Sequence, residues 1–147
     1  MSRHKSVNSL KIVLPSKSVN EGLTRSLVGS FVAQLDPTVG ELADIKTAVS
    51  EAVTNCIVHA YPGGSGDIYI SCEYDDSRRV ILRIKDKGVG IDDIERAREP
   101  LFTTSPETER SGMGFTIMES FCDTIKVKSK KGKGTTVVLT KQIKQYR

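Results

Sequence analysis

The chain has 147 residues, 37% hydrophobic and 27% charged, with a formal net charge of +4. That length suits one domain with a buried core, and the balance excludes both a disordered tract and a fibrous repeat. No run approaches the ~20 apolar residues of a membrane span and Met1-Ser2-Arg3-His4-Lys5 holds no apolar signal core, so a cytoplasmic protein with no membrane partner is expected.

Leu10 to Leu14 reads as a short strand ended by Pro15. Ser18-Val19-Asn20-Glu21 has capping-box form and opens a helix whose apolar stripe is Leu23, Leu27, Val28, Phe31, Val32 and Leu35. Asp36-Pro37 stops it, and a second capping box, Thr38-Val39-Gly40-Glu41, starts a longer helix reaching about Tyr61. Leu42, Ile45, Val49, Val53, Cys56 and Ala60 recur on its buried face. At ~100° per residue, Glu51, Asn55 and His59 cluster on another face, where a carboxylate and an amide one turn apart can meet the same small ligand.

Pro62 to Gly66 ends that helix, and a hairpin follows. Ile68, Ile70 and Cys72 alternate on its first strand, Val80, Leu82 and Ile84 on its second, with Asp75-Asp76-Ser77 between. The second strand runs into Asp86-Lys87-Gly88-Val89-Gly90, after which Asp92 can cap a short helix with Glu95 three residues on. Residues from roughly 98 to 112 carry no convincing period, and loops of that length are commonly lids or binding loops. A helix beginning near Gly114 and two last strands, Thr124 to Lys130 and Thr135 to Lys141, complete the order β-α-α-β-β-α-β-β. The expectation is a single α+β domain over residues 1–147, its helices on one face of a mixed, mostly antiparallel sheet.

Cys56, Cys72 and Cys122 are odd in number and lie in apolar patterns, which suits reduced buried thiols better than disulfides. Lys126, Lys128, Lys130, Lys131 and Lys133 form the densest cationic cluster. No aromatic residue is interleaved with them, so the expectation is a solvated hairpin shielded against edge pairing, with no direct nucleic-acid partner.

Asp86 at a strand end can accept a hydrogen bond from an exocyclic amine, while Gly88 and Gly90 let a flat base lie against the backbone. A strand-end turn capped by an aspartate would look the same. Gly112-Met113-Gly114 before a helix offers unpaired N–H groups to a phosphate, with Arg110 and Ser111 beside them.

In order, Glu-x-x-x-Asn on a helix, Asp-x-Gly-x-Gly after a strand, Gly-x-Gly after a loop, and Gly134-Thr135-Thr136 resemble the boxes of the GHKL ATPase/kinase superfamily, which includes gyrase and histidine-kinase ATP sites. Ser30 to Pro37, Ser50 to Asn55, Pro100 to Thr104 and Arg110 to Glu119 are similar to one branch, the anti-sigma-F serine-protein kinases of endospore-forming bacteria. The resemblance implies a two-layer α/β sandwich of the Bergerat type that binds ATP or ADP with Mg²⁺. It implies that Asp86 and Thr135 hold adenine, beside Gly88 and Gly90, and that Asn55 holds the metal. Thr104, Arg110, Ser111, Gly112, Met113 and Gly114 would cradle the phosphates, and Glu51 would be the general base. It also implies a sigma-F-type sigma factor and an anti-anti-sigma protein as partners, with Arg25 at their contact, and a homodimer through the first strand and helix. A module that uses ATP only as a gate would need no base at Glu51. A histidine-kinase fragment would need a phosphoacceptor histidine in a helix pair, and only His4 and His59 are present.

Overall fold

The computed structural model describes residues 5–91 and 114–144. Among the described residues five strands form one sheet: β1 (Ser6–Pro15), β2 (Asp67–Asp75), β3 (Arg79–Asp86), β4 (Thr124–Lys130) and β5 (Gly134–Gln142). Their spatial order is β1-β2-β3-β5-β4, and every described pair is antiparallel. β1 and β4 are therefore the sheet's edges. Among the described residues three α-helices, α1 (Val19–Val32), α2 (Val39–Asn55) and α3 (Gly114–Phe121), cover one face of the sheet, with α2 packed between α1 and α3.

Period-two burial fixes which face the helices cover. Ile68, Ile70, Cys72, Val80, Leu82, Ile84, Val137 and Leu139 point into the core, where they meet Val28, Val32, Ile45, Val49, Val53 and Met118. Each fully buried aliphatic side chain contributes about 1.5–3 kcal/mol. Gly29 brings α1 close to α2, since a Cβ there would stand 3.2 Å from the Lys46 stem. No described helix is long and apolar enough to cross a membrane.

The two capping boxes fare differently. Around α2 both halves form: Glu41 N–H donates to Thr38 Oγ1 and Thr38 N–H to Glu41 Oε1. At α1 the Ser18 side chain caps nothing, because Ser18 is itself helical at φ −58° and ψ −30°. An N-cap oxygen reaches back only from extended backbone, and Glu21 pairs instead with Arg25 at 2.7 Å. β1 also begins at Ser6, four residues before the apolar run, since its polar start still pairs with β2.

The expected cap at Asp92 and the loop from 98 to 112 lie outside the described residues.

Candidate functional site

The site residues meet where α2 ends. Asn55 is the last α-helical residue, and Cys56–Ala60 continue as one π-helical turn. Such a wide turn re-aims the residues around it and recurs at functional sites. Glu51, Asn55 and His59 are each half-buried along this face, while Cys56 turns inward.

The Cys56 thiol reaches the last residue of β3, its Sγ standing 3.5 Å from Asp86 Oδ2. Asp86 is only 5% exposed, and the opposite oxygen, Oδ1, accepts the N–H of Gly88 at 2.9 Å and of Thr135 at 3.2 Å. Burial, and then the negative charge of Asp86, push the Cys56 thiol well above its ordinary range. The sulfur therefore keeps its proton and donates it to the carboxylate. Three strand and helix ends, those of α2, β3 and β5, thus converge on one acid.

The turn after Asp86 is locked by close backbone crossings. A Cβ on Gly88 would stand 2.0 Å from the Ala60 carbonyl oxygen. One on Gly134, at φ +110°, would stand 2.1 Å from the Asp86 carbonyl oxygen. Gly90, at φ +77°, would meet the Lys130 carbonyl at 2.3 Å. The missing side chains of these glycines face protein backbone, so the pattern builds the junction that holds Asp86. Val89 N–H donates to Ala60 O at 2.8 Å, tying the turn to the π-helical turn.

Three residues that the sequence pattern did not single out complete the junction. Cys56 holds Asp86, as described. The Tyr61 hydroxyl donates to Asp67 O at 2.7 Å and accepts Lys87 N–H at 2.8 Å. Ser129 Oγ accepts Ile91 N–H at 2.7 Å and lies 2.7 Å from Thr135 Oγ1. None carries a motif, because each acts through a contact across the chain.

A second feature lies on the other side of Glu51. Glu21, Arg25, Lys46, Thr47, Ser50 and Glu51 line an open cleft of about 390 Å³ between α1 and α2. Arg25 Nη1 contacts Glu21 Oε1 at 2.7 Å and Ser50 Oγ at 3.4 Å, which fixes the guanidinium beside Glu51's own turn. The expected base and the expected partner-contact arginine therefore share one cleft. Thr104, Arg110, Ser111, Gly112 and Met113 lie outside the described residues; Gly114 is the first residue of α3.

The site can accept a hydrogen bond at a buried carboxylate, offer an amide oxygen one helical turn from a glutamate, and admit a side chain to that glutamate from the cleft. Residues 14–141 match the histidine kinase-like ATPase domain family. The chain is 55% identical to an anti-sigma F factor of Bacillus licheniformis, over 92% of this chain and 93% of that one. It is 52% identical to an anti-sigma F factor of Clostridium kluyveri, over 91% and 94% of the two chains. Among solved structures, the RsbU and RsbW domains of a Mycobacterium tuberculosis protein superpose with a TM-score of 0.70 at 18% identity. That likeness, which is one of fold, covers 95% of this chain and 34% of the longer one. A blue-light activated histidine kinase of Erythrobacter litoralis gives 0.60 at 19% identity, over 83% of this chain and 41% of that one.

Proposed function

The chain belongs to the anti-sigma F factors, within the histidine kinase-like ATPase domain family, and from that premise we propose that it is a Mg-ATP-dependent protein-serine kinase. Family membership brings ATP or ADP binding and a sigma factor partner. The proposed activity has two parts. With ATP bound, the protein holds and silences a sporulation sigma factor of the sigma-F type, and it phosphorylates a serine of an anti-anti-sigma protein.

Asp86 suits an adenine amine, because Oδ1 is already engaged by two backbone donors while, among the described residues, Oδ2 meets the Cys56 thiol alone. Thr135 adds a hydroxyl at the same end, beside Gly88 and Gly90. Asn55 offers one amide oxygen, which fits Mg²⁺, an ion that takes most of its ligands from phosphates and water. That ion, when bound, neutralises charge on the β- and γ-phosphates. Thr104, Arg110, Ser111 and the backbone of Gly112, Met113 and Gly114 are assigned to the phosphates.

One observation carries the kinase reading: Glu51 lines the same cleft as Arg25. Arg25 anchors the partner there, and a serine delivered into the cleft gives its hydroxyl proton to Glu51. The serine oxygen forms the new P–O bond as the bond to ADP breaks, so charge placement and alignment carry the transfer. The edge of β1, unpaired among the described residues, and the exposed Val19, Leu23 and Leu27 on α1 support a homodimer built from the first strand and helix. The protein would act in the cytoplasm.

The test is incubation with γ-labelled ATP, Mg²⁺ and the candidate anti-anti-sigma protein, followed by mapping of the label. Label on one partner serine, lost in Glu51→Ala with ADP still bound, is the expected result. Normal nucleotide and sigma-factor binding with no label on the partner would leave an ATP-gated sequestering module and remove the kinase.

A further inference from the structure

The sheet face opposite the described helices carries two rows of cations that the linear sequence separates. On β3, Arg83 and Lys85 point away from the helices; on β4, Lys126 and Lys128 do the same, all four exposed. β5 runs between them, and the registers align the rows. Arg83 stands opposite Val138, which stands opposite Lys126; Lys85 stands opposite Thr136, which stands opposite Lys128. A third step continues the pattern, since Lys130 pairs with Gly134, whose absent Cβ would sit 2.8 Å from the Lys87 backbone. The result is a ladder in which each step is cation, neutral residue, cation.

Cations within a row repeat every roughly 7 Å, and the rows stand roughly 10 Å apart, two strand spacings. Along β3, β5 and β4 no acidic side chain shares this face among the described residues. The nearest acid on it, Glu73, is held by Arg83 at 2.6 Å. Tyr69 lies on the same face, with the Lys87 ammonium 4.9 Å from its ring centre. The aromatic residue missing from the lysine cluster in sequence is thus supplied by a neighbouring strand.

We propose that this ladder is a docking surface for the sugar-phosphate backbones of duplex nucleic acid, bound without sequence readout. Two cationic rows roughly 10 Å apart, carried on long side chains over a neutral floor, can reach the two phosphate backbones flanking a groove, roughly 6 Å wide for the minor and roughly 12 Å for the major groove of B-DNA. An acidic peptide presents one line of carboxylates and would engage one row. The cations of the ladder are matched to phosphates, groups that position a duplex without reading its bases. It is separate from the nucleotide site, because the helices and Asp86 lie on the other side of the sheet.

Fluorescence anisotropy of a labelled mixed-sequence DNA duplex of about 20 base pairs, titrated with the full chain across a KCl series, tests this. With Arg83 paired to Glu73, the five lysines of the ladder predict that log K falls with log salt with a slope of about −4.5. Lys126→Glu/Lys128→Glu should flatten the slope by about 2 and weaken binding about 10-fold or more near 0.1 M salt. Lys17→Glu, in the turn before α1, should change it less than about 2-fold. Unchanged ADP binding verifies that each variant is folded. Absence of binding near 0.1 M salt overturns the proposal. So does an equal loss in Lys17→Glu, or displacement of the duplex by poly-glutamate as readily as by unlabelled duplex at equal charge.

Discussion

The Cys56 thiol, on the π-helical turn that ends α2, donates to Asp86 Oδ2 across 3.5 Å and so couples the helix bearing Glu51 and Asn55 to the strand end that would read adenine. Gly88 and Thr135 N–H groups hold Oδ1, which fixes the orientation of the carboxylate. Asp86→Asn would replace that acceptor by an amide that can turn a donor toward the base. ADP binding should weaken about 10- to 100-fold, the range for losing a hydrogen bond to a charged group. Titration calorimetry measures it, and wild-type affinity in a folded Asp86→Asn protein would remove Asp86 from adenine recognition.

Glu51 gives a separable effect. Glu51→Gln keeps the shape and the cleft but takes away the base, so partner phosphorylation should drop about 10²–10⁴-fold. ADP affinity should stay within about 2-fold, since a base acts in the transition state and not in ground-state binding. Arg25→Ala, which alters the other wall of the cleft, should instead raise KM for the partner. Single-turnover transfer at saturating partner distinguishes the two; equal losses in both variants would mean that Glu51 only shapes the docking cleft.

Gly88→Ala attacks the junction without touching a polar group. The new methyl would lie 2.0 Å from the Ala60 carbonyl oxygen and 2.5 Å from its carbon, both backbone atoms that cannot rotate away. The turn must lift off the π-helical turn and lose the Val89-to-Ala60 hydrogen bond. Destabilisation of about 2–3 kcal/mol follows from overpacking and the lost bond together. Urea denaturation reads it directly. A shift below the error of the measurement would show that the crossing is looser than its geometry.

Much of this was legible because it is local. The strand alternation around Ile70 and Leu82, the stripe from Ile45 to Ala60, and the Thr38–Glu41 box are periodicities or short motifs, and each reappears as burial or as a hydrogen bond. The Ser18–Glu21 box has the same letters and fails, because Ser18 adopts a helical backbone that the letters do not specify. Asp86 and its glycines stood out as a pattern, yet their partners did not: the carbonyls of Ala60 and Lys130 lie far away in sequence. Cys56 reads as one more core residue, and only the antiparallel sheet packed under α2 places a carboxylate beside its sulfur. The cationic ladder was invisible for the same reason, since β5 enters the sheet between β3 and β4.

The formed capping box makes a stability prediction. Thr38→Ala removes the oxygen that accepts Glu41 N–H at 3.1 Å. It leaves the Glu41 carboxylate, which also accepts Lys144 N–H at 2.9 Å. About 1 kcal/mol should be lost, seen as a lower thermal midpoint with unchanged ADP affinity. The parallel change Ser18→Ala should cost less than about 0.5 kcal/mol, because Ser18 caps nothing. Equal losses at the two sites would contradict the different backbone geometries.

The buried thiols set the alkaline limit. Burial, reinforced by Glu73, pushes Cys72 to about 12, and burial pushes Cys122 to about 11; burial, and then Asp86, raises Cys56 well above its ordinary value. In the unfolded chain the same thiols titrate near their ordinary value of 9.0. Below that pH both states keep these protons, and the full contribution to stability is present. Above it the unfolded chain releases protons that the native chain retains, so the unfolded state binds fewer and stability falls with pH. For Cys56 and Cys72 the slope is about 1.4 kcal/mol per pH unit each, continuing until the pH passes the native values. Urea midpoints at pH 8, 9, 10 and 11 should therefore be level at first and then decline, and Cys72→Ala should make the decline shallower by one thiol's share. Native protein at pH 8 should likewise resist iodoacetamide at Cys56 and Cys72, since the reactive thiolate is scarce. Rapid alkylation at Cys56 without unfolding would mean that the thiol is ionised beside Asp86 and cannot be its hydrogen-bond donor.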